Sequence, residues 1–287
     1  MKPGLSRVLW EHQTVGSNPT TPTSIKGGCM FDYLSRYFED WNLWDWTWTL
    51  TATIVAIWLG VQWGAGDWNT ALSIITCLTG LWCVILVAKR RIFNYYVGII
   101  NVVGYAYIAY GYQLYGEVML NAGYFLPMQF VGLYIWMKNK DPEVVDKVKI
   151  EFLSTWQRVI WFFVSLIAIM AYANVLRDMG DPLPWLDSTS TVLSIIAMIL
   201  MAWRFMEQWV LWIIVDVASI AIWWIVIGEN GGRDVALLVM WSAYLINAIY
   251  GFIMWIKMYR EQQDEFIRNL TPYTKKKANE KLAKLVK

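Results

Sequence analysis

The sequence predicts an all-α integral membrane protein with eight transmembrane helices, and three observations carry that expectation. Hydrophobic residues make up 57% of the 287 and charged residues only 16%, a balance outside the range of soluble domains. Apolar runs of about 20 residues, the length a helix needs to cross a hydrocarbon core of about 30 Å, recur along most of the chain. Between those runs the basic residues gather on one side: all but Arg177 and Arg233 fall on the side that holds both ends of the chain.

Reading between charges places the spans in order. Residues 46–66 are uncharged between Asp45 and Asp67, and 68–88 run to the stop Lys89-Arg90-Arg91. Span 92–113 follows, and 118–137 lies between Glu117 and Lys138, with Pro127 expected to open its backbone locally. Span 159–176 is bounded by Arg158 and Arg177. The short span 188–203 follows PLPWLD, so its outer end is expected near Trp185, at an interface where Trp is favoured. Spans 208–228 and 235–256 complete the set, the last ending at Lys257. Eight crossings put both termini on the basic side, which the positive-inside rule makes cytoplasmic. Tryptophans near span ends, namely Trp46, Trp48, Trp68, Trp136 and Trp255, read as interfacial anchors.

The first 29 residues are polar, rich in Pro, Gly and Thr, and lack the apolar region of a signal peptide. They read as a disordered tail or as a start placed too far upstream, with Met30 the preferred initiator. The single histidine, His12, lies there, which takes the commonest proton-relay residue out of the membrane region. Of the three cysteines, Cys77 and Cys83 share one apolar span, and with Cys29 they suggest buried packing rather than a disulfide framework. The tail TPYTKKKANEKLAKLVK reads as a solvated basic segment or a basic helix near anionic headgroups.

An internal repeat is legible in three ordered matches. LSII recurs at 72–75 and 193–196, VGIINVV at 97–103 matches WIIVDVA at 212–218 with an offset of 115, and FVGLYIWMK at 130–138 matches IYGFIMWIK at 249–257 with an offset of 119. The chain therefore divides into a tail at 1–45, an extra helix at 46–66, one three-helix unit at 67–138, a loop and linker helix at 139–178, a second unit at 179–258, and a basic tail at 259–287. Because one linking helix joins two units of three, the repeats run parallel. That 3+1+3 arrangement places a substrate near the midplane between the units.

The run VLSIIAMILMAWRFMEQWVLWIIVDVASI at 192–220, with FNYYVGIINV at 93–102, resembles the PnuC family of nicotinamide riboside transporters over roughly residues 66–258. The resemblance implies a fold akin to the SWEET sugar transporters, assembly as a homotrimer, and residence in the bacterial inner membrane. It further implies facilitated diffusion of an unphosphorylated vitamin that a cytoplasmic kinase then traps. Related members carry thiamine or riboflavin, so another B vitamin is the chief alternative substrate.

An ionised Asp at a helix centre costs roughly 2.5–3.5 kcal/mol on insertion scales, so Asp216 is expected to face inward. Its helical face holds Trp209, Trp212, Ser219 and Trp223. The offset of 115 makes Asn101 its uncharged twin. Span 118–137 adds Asn121, Tyr124, Met128 and Gln129, and span 235–256 presents Trp241, Tyr244, Asn247 and Gly251 on one face. Indoles can stack an aromatic base, amides and the carboxylate can hold ribose hydroxyls, and a cationic ring would favour the carboxylate and the Trp faces. The expected substrate residues are therefore Asp216, Trp212, Asn101, Asn121, Gln129, Trp241, Tyr244 and Asn247. The same amides could equally tie helix to helix.

No ATP-binding motif is present and no second carboxylate lies deep in a span, which favours a uniporter working by alternating access. No cofactor, metal or nucleic-acid partner is expected. An intramembrane enzyme would need a nucleophile with a base, and Cys77 and Cys83 have no His partner. A channel would need rings of like groups around a pore, and saturable uptake would separate it from a transporter.

Overall fold

The computed structural model describes residues 34–35, 37–63, 68–111, 115–141, 146–229 and 235–269. The segment with His12 and Cys29, the candidate initiator Met30 and the basic tail beyond residue 269 lie outside the described residues. Helix α1 spans Leu43–Trp63, α2 Trp68–Ala88 and α3 Asn94–Gly111. Helix α4 is composite, with an α-turn at Tyr115–Val118, a π-helical stretch at Met119–Phe125 and an α-helix at Leu126–Lys138. Helices α5 (Thr155–Asp178), α6 (Pro184–Ala202), α7 (Gln208–Glu229) and α8 (Val235–Asn269) follow, and no β-strand forms among the described residues. Five helices, α2, α5, α6, α7 and α8, are long and apolar enough to cross a membrane.

Local chemistry explains the helix boundaries. Asn42 and Asp45 cap α1 reciprocally, each backbone N–H donating to the other's side chain at 2.8 and 3.1 Å. Ser154 and Gln157 form a capping box on α5, and Pro184 sits in the first turn of α6, close to the expected start at Trp185. Pro127 has no N–H for the carbonyl four residues back, and the turns before it widen into the π-helix. Helix α8 continues well past the expected end at residue 256, carrying polar residues such as Gln262 beyond the apolar stretch.

The helices pack as two groups of three. In the first, α3 lies on α2 and α4; in the second, α7 lies on α6 and α8. The third helix of each group lies on the first helix of the other, α4 on α6 and α8 on α2, while α1 packs on α2 and α5 on α6. Hydrogen bonds recur between the groups at an offset of 114. Arg90 N–H donates to Val87 and Arg204 N–H to Met201, both at 2.9 Å, and Arg91 and Phe205 donate to Leu86 and Leu200, also at 2.9 Å. Arg90 and Arg204 both adopt positive φ, 58° and 63°. This register sets Val102, rather than Asn101, level with Asp216, and the two share nearly equal burial at 5% and 3% exposure. The sequence alignment at 115 is thus one residue out, because two apolar helices matched by residue type alone tolerate a one-residue slip.

The core lies at the basic end, built from Val87, Tyr95, Trp136, Met201, Trp209, Trp255 and neighbours from both groups. Here one expectation is corrected. Trp136 and Trp255 are not interfacial anchors but fully buried, whereas Trp46 and Trp68 keep the exposure that role requires. The basic residues Lys89, Arg90, Arg91, Lys147 and Arg204 are buried as well. They hold the extended segment 146–154 between the groups: Arg90 Nη1 donates to the Val148 carbonyl, Arg204 Nε to that of Lys149, and Gln262 bonds both backbone groups of Ile150. Cys77 and Cys83 are free thiols, partly buried, as their sequence setting suggests.

Asp40 bridges this network, pairing with Arg91 at 2.5 Å and Lys147 at 2.8 Å. Burial raises its pKa, but the Lys147 hydrogen bond and the charges of Lys147, Arg91 and Lys89 outweigh that and hold the carboxyl below its ordinary 3.8. A depressed folded pKa adds stability that is complete above the unfolded value and is lost as pH falls through the folded one. On acidification below about pH 4, Asp40→Asn should therefore show a smaller drop in Tm than the parent protein, as read by a thermal unfolding series in detergent.

Candidate functional site

The residues that converge do so around Gly80, midway along α2. A side chain built on Gly80 would place its Cβ 2.7 Å from Asn101 Nδ2 and 3.0 Å from the Tyr244 hydroxyl, so these two groups, one from each three-helix group, lie over its bare backbone. Asn101 is held there because its Nδ2 donates to the Thr76 carbonyl at 2.8 Å. Trp241, one turn before Tyr244 on α8, meets that ring edge-on, with centroids 5.7 Å apart and planes at 87°. Asp216 on α7 lies within electrostatic range of the Tyr244 hydroxyl. The result is an indole, a phenol, an amide and a carboxylate drawn from α8, α3 and α7.

Asp216 is 3% exposed and its carboxylate makes no hydrogen bond or ion pair among the described residues. Ser219, one turn on, shares a hydrogen bond of 3.3 Å with Ser190 of α6. A buried carboxylate without a protein partner is costly, which leaves it available to a cationic or hydroxyl-bearing ligand.

The other expected residues divide. Asn247 donates to the Val84 carbonyl of α2 at 3.1 Å, which ties α8 to α2, but its buried Oδ1 has no partner among the described residues. Gln129 packs against Gly98 of α3, its Oε1 likewise unpaired among them. Asn121 turns back on its own helix, donating to the Glu117 carbonyl and carboxylate at 3.0 and 3.3 Å. Trp212, one turn before Asp216 on α7, is half-buried and packs against the core that holds Trp209. Tyr124 donates to the Ile195 carbonyl of α6 at 2.7 Å, bracing the two groups.

Two participants escaped sequence reading. Thr76 positions Asn101 through its carbonyl and has a buried hydroxyl that is unpaired among the described residues, and Gly80 supplies the floor. The signal was present as small residues four apart in TCLTG at 76–80, a spacing that lets helices approach closely. A separate cavity of about 440 Å³ lies between residues 34–38, α2 and α3. Its lining, with Phe38, Leu78, Trp82 and Phe93, is apolar and includes none of the expected residues, so it does not suit a polar ligand.

A family model described as nicotinamide mononucleotide transporter matches residues 70–257. The chain belongs to this family. The nicotinamide riboside transporter PnuC of Neisseria mucosa is 34% identical over 79% of this chain and 86% of its own length. That of Haemophilus influenzae is 31% identical over 78% and 94%. A solved structure described as the crystal structure of the vitamin B3 transporter PnuC superposes with a TM-score of 0.67 at 33% identity, covering 82% of this chain and 99% of that one. The family span nearly coincides with the two three-helix groups, and it contains the residues that meet at Gly80.

Proposed function

We propose that the protein carries nicotinamide riboside across a membrane, with the site at Gly80 as its binding place. The observation that carries this reading is the buried Asp216 carboxylate, unpaired among the described residues and within electrostatic range of the Tyr244 hydroxyl, with Trp241 edge-on to that phenol. A cationic pyridinium ring matches the carboxylate and the aromatic faces, and ribose hydroxyls match Asn101 and Tyr244. A mononucleotide would bring a phosphate as well. No Lys or Arg occurs at 92–137, 205–232 or 234–256 to receive it, which favours the riboside.

The fuller arrangement belongs to the same reading. All eight helices cross the bilayer, α2–α4 and α6–α8 are parallel repeats joined by the linker α5, and α1 is the extra helix. The reciprocal packing of α4 on α6 and α8 on α2, with the recurrence at 114, supports this. Transport is facilitated diffusion by alternating access of the two halves, the termini are cytoplasmic in a bacterial inner membrane, the assembly is a homotrimer, and a kinase on the cytoplasmic side traps the product. Purified protein in liposomes should take up nicotinamide riboside down its gradient with saturation. Absence of such uptake sinks the reading, and tighter equilibrium binding of thiamine or riboflavin redirects it to another vitamin.

Gly80 gives a second check. Gly80→Ala forces the Asn101 amide and the Tyr244 hydroxyl aside, and overpacking of this kind costs about 1–3 kcal/mol. Nicotinamide riboside binding should weaken roughly tenfold by titration calorimetry. Unchanged affinity would remove the Gly80 surface from the site.

A further inference from the structure

At the basic end four buried rings run in series through the centre of the bundle. Tyr95 meets Trp136 edge-on at 5.1 Å and 89°, Trp136 faces Trp255 at 6.4 Å, and Trp255 meets Trp209 at 5.7 Å and 76°. Two of the rings come from each half, and none is more than 2% exposed. Gly132 and Gly251, at matching places on α4 and α8, make the room: a Cβ at Gly132 would strike the Tyr95 ring, and one at Gly251 the Trp209 ring.

The two central indoles each reach across to the other half. Trp136 Nε1, on α4 of the first half, donates to the Met201 carbonyl at the end of α6 at 3.0 Å. Trp255 Nε1, on α8 of the second half, donates to the Val87 and Ala88 carbonyls at the end of α2 at 3.1 and 3.2 Å. Val87 and Met201 are the paired positions of the 114 register, so the same bond is made twice, once in each direction. Packing alone would not require it, because ring burial fills space whatever the N–H does. A reciprocal, directional bond between bodies that must separate for a ligand to pass is the arrangement of a latch.

We propose that Trp136 and Trp255 form a paired latch that holds the two halves shut at the basic end, and that its release opens the site at Gly80 to that side. The inference rests on the halves moving as bodies, as the transport reading requires. Residues Trp136 and Trp255 are positioning residues, since neither touches the group at Gly80. In the latched state the ring series blocks the way out, and the state described by the structure is closed at the basic end.

Cys83, within electrostatic range of the Tyr95 hydroxyl, offers a native reporter. Full-length protein in vesicles would be treated with a membrane-impermeant maleimide on one side at a time, with modification of Cys83 read by peptide mass spectrometry. A Lys138→Cys control identifies the basic side. Trp136→Phe with Trp255→Phe keeps an aromatic ring at each place, smaller than the indole, and removes both N–H donors. Cys83 should then react about 25-fold faster from the basic side, the scale of two buried hydrogen bonds at about fivefold each, and at an unchanged rate from the other. Nicotinamide riboside affinity in detergent should stay within about threefold. The single variants, each with an intermediate rate, carry the test should the double variant fail to fold. Unchanged reaction from the basic side, or equal acceleration from both sides, overturns the latch. Cys83 modification needs no transported solute, so a wrong substrate assignment would show in the uptake assay and leave this result readable.

Discussion

Asp216→Asn should weaken nicotinamide riboside binding about 10- to 100-fold, the value of a charged interaction in a buried site, with little change in thermal stability. The stability expectation follows from what the carboxylate does not do. It is 3% exposed and makes no hydrogen bond or ion pair among the described residues, so the isosteric amide breaks nothing. The tolerance does not rest on a repeat partner, since the register of 114 sets Val102 at that level. Discrimination is the sharper readout: an analogue with an uncharged ring should lose much less affinity than the cationic vitamin. Titration calorimetry of the two ligands against the parent and variant proteins decides it, and equal losses would argue against charge pairing.

The largest stability effect is expected at Asp45, far from the site. Its carboxylate pairs with Lys89 at 2.5 Å, with side chains only 2% and 0% exposed, and it also accepts the Tyr250 hydroxyl of α8. Three elements, α1, the end of α2 and α8, therefore meet on one buried charge pair. Asp45→Ala leaves the Lys89 ammonium with the Asp40 carbonyl at 3.2 Å and the rings of Trp41 and Tyr250 near 6 Å, too little to replace a carboxylate. Removing one member of a buried pair costs about 3–5 kcal/mol, so the protein should lose many degrees of Tm in detergent. Asp45→Leu combined with Lys89→Met should be markedly less damaging than Asp45→Ala, because no unpaired charge remains. A double variant as unstable as the single one would mean that packing, not charge burial, sets the cost.

How much of the site was legible follows from what each side chain needs. Asp216 announced itself because a carboxylate inside an apolar span is expensive, and Tyr244 and Trp241 because they share a helical face. Trp212 shares a face with Asp216 and also packs on the basic-end core, because one face of a long helix passes several environments along its length. Asn121 and Asn247 were candidates by type, but an amide can satisfy itself on any carbonyl within reach, and only coordinates tell which. Gly80 and Thr76 were nearly silent, since a glycine contributes by what it leaves out.

Composition and span length by themselves determined the membrane class, because the hydrocarbon core demands about 20 apolar residues wherever a helix crosses it. Ordered matches between the halves pointed to two related parts, and the motif at 192–220 pointed to the family. The tertiary structure alone decided how the basic end is packed. Trp136 and Trp255 read in sequence as interfacial anchors, and Lys89 and Arg91 only as the stop of a span, since a residue near a span end meets either an interface or a neighbour. Here the reciprocal packing of α4 on α6 and α8 on α2 buries the two indoles, whose N–H groups bond across the halves, while Asp45 and Asp40, in and just before α1, pair with Lys89 and Arg91.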